Sequence, residues 1–367
     1  MDRGKIFQAL VIVGSLTPCR ALIAAEYPYI YRSAYFLGRG DTGIAEADAE
    51  EAIFYNPAGL AKGKGIYKQI VFAAPMIEAS KDTRDVAKQI ELQESDPTET
   101  LRKHEGIPQH VGANTFTGII LRRAAIGLFA HTSNTAMLYK DHKRGALESI
   151  YAESVTDTGA IFSLAHNFSK NFFVGLTAKY LKRNRAFFAA NATESDKLTS
   201  FRSSDQISML GTGTGADIGF LYKTTGRNIF SFGLTVQDLG NTTFIPDEKT
   251  DVSKKDRPLK DLKQTINIGV AYEPGTKYSK FRLLADLRDI ANTNDHNPYK
   301  RLHLGTELTM RNVIGFTTGL NQGYPSFGLY FDFVFLRLDL GTYGEEVGSM
   351  PGSRPDIRYF AKIKVGL

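Results

Sequence analysis

The chain has no tryptophan, a single cysteine and, beyond its first residues, no long apolar run. Each absence removes a class of protein. With Cys19 alone, neither a disulfide framework nor a zinc site built on thiolates can form. No stretch past the N-terminus approaches the roughly 20 apolar residues of a membrane-spanning helix, so helical membrane proteins are excluded. The net charge of +6 is diffuse, and no basic run is interleaved with stacking aromatics, so nucleic acid is not an expected partner. His104, His110, His131, His142, His166, His296 and His303 show no H-E-x-x-H spacing, and no serine sits in a G-x-S-x-G turn. Gly211–Gly215 alternates glycine with threonine like part of a dinucleotide loop, but it lies within strand alternation and no helix follows. The expectation is therefore a protein that is not an enzyme, with no metal and no cofactor. A Ser–His pair assembled across strands is the one catalytic arrangement that sequence order does not reveal.

Glycine and the smaller aromatics are what the chain does have, with 34 Gly, 24 Phe and 17 Tyr. At 367 residues it could form two ordinary domains or one large barrel. Residues 1–25 read as an export signal: Arg3 and Lys5 precede the apolar stretch Ile6–Leu16, and cleavage falls after Ala24 or Ala25. Cys19 raises a lipoprotein alternative, but a proline directly before it fits that signal poorly. Cleavage as placed leaves the mature chain without cysteine, which suits an oxidising periplasm.

The C-terminus ends inside a strand. Ile357, Tyr359, Ala361, Ile363, Val365 and Leu367 share one face, while Arg358, Phe360, Lys362, Lys364 and Gly366 share the other. The same alternation recurs from Gln109 onwards. Phe230, Phe232, Leu234 and Val236 oppose Ser231, Gly233, Thr235 and Gln237, and Phe327, Leu329 and Phe331 oppose Gly328, Tyr330 and Asp332. With a first strand at Ile66–Ala79 the total is about fourteen, and short links alternate with longer ones, as in bacterial outer-membrane barrels. A soluble sandwich would also alternate, but few charges interrupt the apolar faces and an export signal precedes them. The fold expected is all-β: a closed antiparallel transmembrane β-barrel of about fourteen strands over 65–367, with a small N-terminal hatch over 26–64. Residues 82–106, charged and without period-two alternation, form a helical or loop insertion. The location expected is the Gram-negative outer membrane, with its lipid around the barrel.

Gly40-Asp41-Thr42-Gly43-Ile44-Ala45, followed by Ala52-Ile53-Phe54-Tyr55 and Asn56-Pro57-Ala58-Gly59-Leu60-Ala61, resembles the N-terminal signature of the FadL-like outer-membrane barrels. From the residues alone, Ala45–Tyr55 is a short helix stopped by Asn56-Pro57 and Gly59. Asp286-Leu287-Arg288-Asp289, Leu302–Glu307 and Gly341–Gly348 resemble the PorV-like branch of the same superfamily. The resemblance covers roughly residues 35–80 and 280–367; the stretch between is matched only by its architecture. It implies a barrel that passes hydrophobic small molecules by a route gated at a hatch carrying Asn56, Pro57, Ala58, Gly59 and Leu60. The alternative it implies is a PorV-like, non-transporting barrel that binds exported proteins or a secretion complex. The expected lumen carries charges of both signs, among them Asp286, Arg288, Glu307, Asp332, Arg337, Asp339, Arg358, Lys362 and Lys364. Mixed charge neutralises rather than selects, so ion-pair ladders holding the hatch are favoured over a tuned permeation path. Lys362 and Lys364 are expected to look into a lumen lined by Asp332 and Asp339 nearby.

Overall fold

The protein is described from a computed structural model, which covers residues 26–62, 67–83, 103–141, 147–191, 208–247, 259–275, 279–294, 297–348 and 350–367. The expected leader and most of the expected insertion at 82–106 lie outside the described residues.

Sixteen strands form one antiparallel sheet. They are β1 (Tyr67–Ala73), β2 (Met76–Ser80), β3 (Gln109–Leu121), β4 (Ala124–Asp141), β5 (Leu147–Asn167), β6 (Phe172–Asn191), β7 (Ser208–Lys223) and β8 (Ile229–Gln237). Then follow β9 (Phe244–Pro246), β10 (Thr265–Glu273), β11 (Ser279–Leu287), β12 (Leu302–Met310), β13 (Ile314–Asn321), β14 (Tyr324–Asp332), β15 (Leu336–Glu346) and β16 (Pro355–Gly366). The sheet closes because β16 pairs with β1 and β2, and both of those pair with β3. β1 and β2 share one position in the wall, and the short β9 pairs only with β7, so the barrel has fourteen wall positions. Tight turns at 122–123, 168–171, 224–228, 311–313 and 333–335 gather at one end, the periplasmic end of such barrels. The two-residue link Gln322-Gly323 at the other end has positive φ at both positions (53° and 89°), the geometry a tight hairpin demands.

The alternation read from the sequence sorts side chains between the two faces of the wall. Ile77, Ile126, Leu128, Phe162, Phe230, Phe316, Phe327 and Ile363 point outward and are exposed. An apolar belt this extensive would drive aggregation in water and is satisfied by acyl chains. Inside, the two halves differ. The face of β11–β16 is charged and polar, whereas β3–β6 turn Phe116, Ile120, Phe129, Ile161 and Leu181 inward to form the largest buried apolar cluster.

The expected strand Ile66–Ala79 is interrupted. Pro75 has no N–H to donate and cannot continue a ladder on both sides. Register jumps from Val71 opposite Gly118 to Met76 opposite Asn114, so five steps along β1 and β2 span four on β3. Residues 72 and 73 both face outward, the mark of a bulge. Among the described residues, 72–75 have no ladder partner on β3.

Candidate functional site

Residues 26–62 lie within the barrel. The segment contains α1 (Ala34–Leu37), α2 (Ala49–Tyr55) and a 3₁₀ turn (Pro57–Ala61), and most of it is buried. Its backbone runs close along the inner wall because the wall offers glycine at many of the points where the two meet. A Cβ on Gly328 of β14 would crowd Gly38, and one on Gly305 of β12 or Gly319 of β13 would overlap Arg39. Gly233 on β8 and Gly269 on β10 make room for Ile44 and Ala45. Gly219 on β7 does so for Asn56 and Pro57, and Gly175 on β6 for Pro57 and Ala58. Three of these pairs face each other across neighbouring strands: Gly175 with Gly219, Gly233 with Gly269, and Gly305 with Gly319. Where the track lacks glycine, a polar side chain holds the segment's backbone. Asp286 of β11 accepts hydrogen bonds from the N–H groups of Gly43 (2.6 Å) and Ile44 (3.0 Å), and Ser326 of β14 accepts one from Gly40 (2.8 Å).

Each residue of the motif at 56–60 has a local task. The Asn56 Nδ2 donates to Ile44 O at 2.7 Å and to Phe220 O of β7 at 3.1 Å. Its Oδ1 accepts from Ala58 N at 3.2 Å, capping the 3₁₀ turn that Pro57 opens. Ala58 is small enough to lie against Gly175, and a Cβ on Gly59 would overlap Ala47 O. Leu60 is fully buried, and its carbonyl accepts from Arg123 N in the β3/β4 turn.

The charges anticipated for the lumen turn out to be partners of this segment and of one another. Glu307 accepts from Arg39 (2.7 Å), from the Tyr35 hydroxyl (2.6 Å) and from Tyr330 (2.8 Å), with Arg282 at 3.3 Å. Arg288 pairs with Asp41 at 2.7 Å and also donates to the Asp41 carbonyl. Arg337 bridges Asp332 (3.0 Å) and Asp339 (2.9 Å) and stacks on the rings of Tyr35 and Tyr330. Arg358 pairs with Asp356 at 2.7 Å and with Glu26. Lys362 and Lys364 face inward as expected, with Lys362 opposite Asp339 in the ladder, but the acid they meet is on the segment. Lys362 pairs with Glu50 and donates to the Tyr31 hydroxyl at 3.0 Å, and Lys364 lies 3.9 Å from Glu50. Arg337 occupies both Asp332 and Asp339, so the lysines are left to the acids of α2.

Several segment residues that complete these pairs were not singled out in the sequence. Arg32 reaches Glu345 of β15 (2.7 Å) and the Tyr343 hydroxyl (2.9 Å), which in turn donates to Glu78 of β2. Glu46 takes Lys62 (3.7 Å) and Lys223 (3.2 Å). Charged residues scattered among alanines at 45–52 were the available signal, because a segment bound for a charged wall needs them. In α2 the two adjacent acids differ. Burial alone would raise the Glu50 carboxyl, but Lys362 and Lys364 outweigh it and hold it at about 2. Burial, reinforced by the Glu50 charge, raises Glu51, which accepts from Ser33 Oγ at 3.1 Å.

The opposite side of the segment is apolar. Phe54 stacks on Tyr31 (centroids 4.0 Å apart) and meets Phe116 (5.8 Å) and Phe129 (5.6 Å) edge-on. Val71 and Ala74, at the interruption between β1 and β2, belong to the same cluster. The segment is thus tied by charge to one half of the wall and packed by apolar contact against the half that holds the interrupted ladder.

No protein-family model matches the chain, and no curated protein matches its sequence. Solved structures do match in fold. The toluene transporter TbuX of Ralstonia pickettii superposes with a TM-score of 0.52 at 10% identity, over 94% of this chain and 98% of that one. A deltaS2S3 mutant of the monoaromatic hydrocarbon channel TodX, a Pseudomonas putida protein, gives 0.52 at 10% identity, over 93% and 99%. The chain shares the barrel fold of these two channels. At this identity the likeness concerns the fold, with almost the whole of both chains included.

Within this barrel the segment separates two spaces. A cavity of about 780 Å³ opens at the short-turn end, lined by Glu46, Glu51, Lys62, Lys170, Lys223, Arg282, Arg337 and Lys364. A cavity of about 80 Å³ lies on the long-link side, lined by Tyr27, Tyr29, Tyr31, Phe54, Lys179, Asp217 and Arg288. Tyr31 and Phe54 face the small chamber, while Phe36 and Glu51 face the large one.

Proposed function

We propose that the protein passes small hydrophobic molecules across the outer membrane, with residues 26–62 acting as a hatch. The observation that carries this reading is the apolar contact of Phe54 and Tyr31 with Phe116, Phe129 and Ala74, directly beside residues 72–75, which have no ladder partner on β3. A seam between two strands that lacks ladder hydrogen bonds, as here between 72–75 and β3, is the cheapest place for a solute to pass between lumen and bilayer, since few backbone groups have to be uncoupled. An apolar solute reaching it need not cross the charged half of the interior. The hydrocarbon and toluene channels of like fold support the same reading.

The motif at Asn56-Pro57-Ala58-Gly59-Leu60 and the charges of β11–β16 then have distinct parts. The motif fixes the trailing end of the hatch to β6 and β7, and the ion pairs fix its leading end to β11–β16. Gating is the release of one of these attachments while the other holds. The decisive experiment deletes Tyr27–Leu60 and measures liposome conductance and hydrophobic-solute uptake. The deletion barrel is expected to assemble, because the charges it uncovers face a lumen that water can enter, and both readouts should change. An assembled barrel with unchanged conductance and uptake excludes a gating hatch.

One observation favours a second reading, a PorV-like barrel that binds exported proteins. The hatch is locked on its charged side by many buried pairs, including Arg39–Glu307, Arg288–Asp41 and Arg32–Glu345. A plug meant to stay in place would be built so. Stable co-purification with an exported protein, together with no solute flux, would decide for it.

A further inference from the structure

The charges of the interior are paired; those at the tips of the short turns are not. Four hairpin connections at the short-turn end each carry an exposed cation: Arg123, Lys170, Arg227 and Arg311. Among the described residues none of the four has a carboxylate within 4.0 Å. Arg123 donates to Asn167 (2.5 Å) and Arg227 to Gly275 O (3.3 Å), both neutral partners. The acids near this end are already taken, Glu273 by Arg282 and Asp332 by Arg337.

The cations also sit at the edge of the apolar belt. Lys170 lies between Phe168 (68% exposed) and Phe172, Arg227 between Tyr222 and Phe230, and Arg311 between Met310 and Val313. A further turn, Phe333-Val334-Phe335, is apolar to its tip, with Val334 91% exposed. A turn that ended in bulk water would have no partner for that tip, whereas one at the acyl–headgroup boundary would.

We propose that this ring binds the phosphate-bearing headgroups of anionic phospholipid in the periplasmic leaflet. Long cationic side chains reach from an apolar flank to headgroup phosphates, and each contributes to attraction for an anionic surface. Guanidinium groups pair phosphate oxygens in a fork, and Lys170 adds point charge. No covalent step is involved.

The test uses the full-length barrel in neutral detergent, titrated with short-chain phosphatidylglycerol or phosphatidylcholine and read by native mass spectrometry. The expected result is a preference of about ten-fold for the anionic lipid, falling as salt is raised. The triple variant Lys170→Gln/Arg227→Gln/Arg311→Gln should retain the heat-modifiable gel shift of a folded barrel and lose the preference. If the triple variant fails to assemble, Arg311→Gln alone is measured, with a two- to three-fold loss expected, about a third of the free-energy effect. Equal binding of the two lipids by the wild type overturns the proposal, as does a preference that survives neutralisation. Complete displacement of the lipid by an equal concentration of inorganic phosphate would assign the ring to free anions and overturn it. So would salt-sensitive binding of an acidic polypeptide without any lipid preference, which would assign the ring to a protein partner.

Discussion

Asn56 joins three structures through one side chain: the turn it caps, the loop at Ile44 and the wall at Phe220. Replacing it with alanine leaves two buried carbonyls without their donor and removes the cap. The expected cost to docking of the segment is about 3 kcal/mol. Limited proteolysis of residues 26–62 in the assembled barrel measures it, and Asn56→Ala should be cut faster while the barrel core stays resistant. At Glu51 the effect is one of pH. Its carboxyl is raised by burial and by Glu50, so the charged form costs docking free energy above its folded value. As pH falls from neutral towards the unfolded range near 4.3, Glu51 takes up a proton and that cost disappears. Glu50 has the opposite sign. Its contribution is present above the unfolded value and is lost as pH falls towards about 2. Docking should therefore tighten on mild acidification and loosen at strong acidity. In Glu51→Gln the first phase should vanish and the second persist, and amide exchange of α2 followed against pH would show both.

At the scale of elements, the interruption of the first wall strand governs where the barrel can yield. Ala74 is buried between that interruption and the segment's aromatic cluster. Ala74→Phe should fill the apolar contact and cut hydrophobic-solute uptake at a cost of about 1–3 kcal/mol in stability. Uptake equal to that of the unaltered barrel would place the route elsewhere. The sequence carried a mark of this feature that the alternation obscured: Pro75 falls in the middle of Ile66–Ala79, where a central strand excludes it. The remaining strands were legible because period-two patterning is a local property, and so were the short turns. The inward apolar residues of β3–β6 were not, since Phe116 and Phe129 face a partner, Phe54, far earlier in the chain. Nor were the pairs of Lys362 and Lys364 with Glu50. Which acid a lumen lysine meets depends on where the segment crosses the wall, and no local pattern encodes that crossing.

For the molecule as a whole, the two sets of charges should respond differently to salt. The pairs Arg39–Glu307, Arg32–Glu345 and Lys362–Glu50 have side chains almost without solvent contact, so mobile ions reach them poorly. Raising salt from about 0.1 M to about 1 M shortens the screening length from roughly 10 Å to 3 Å and should leave segment docking nearly unchanged. Protease protection of residues 26–62 across that range is the measurement, and a steep loss would mean that water enters the charged half.

The glycine track has a further reach. A glycine in a strand is usually a position that tolerates replacement poorly for reasons of its own strand. Here the reason lies with a different stretch of chain, and it recurs as the wall is followed from Gly175 on β6 to Gly328 on β14. In a library of single substitutions selected for transport, intolerance would therefore draw a line across the unrolled sheet, crossing strands rather than running along them. That line would be a footprint of the segment's path, obtained from phenotypes alone, and it should fade in a library built on the barrel lacking Tyr27–Leu60.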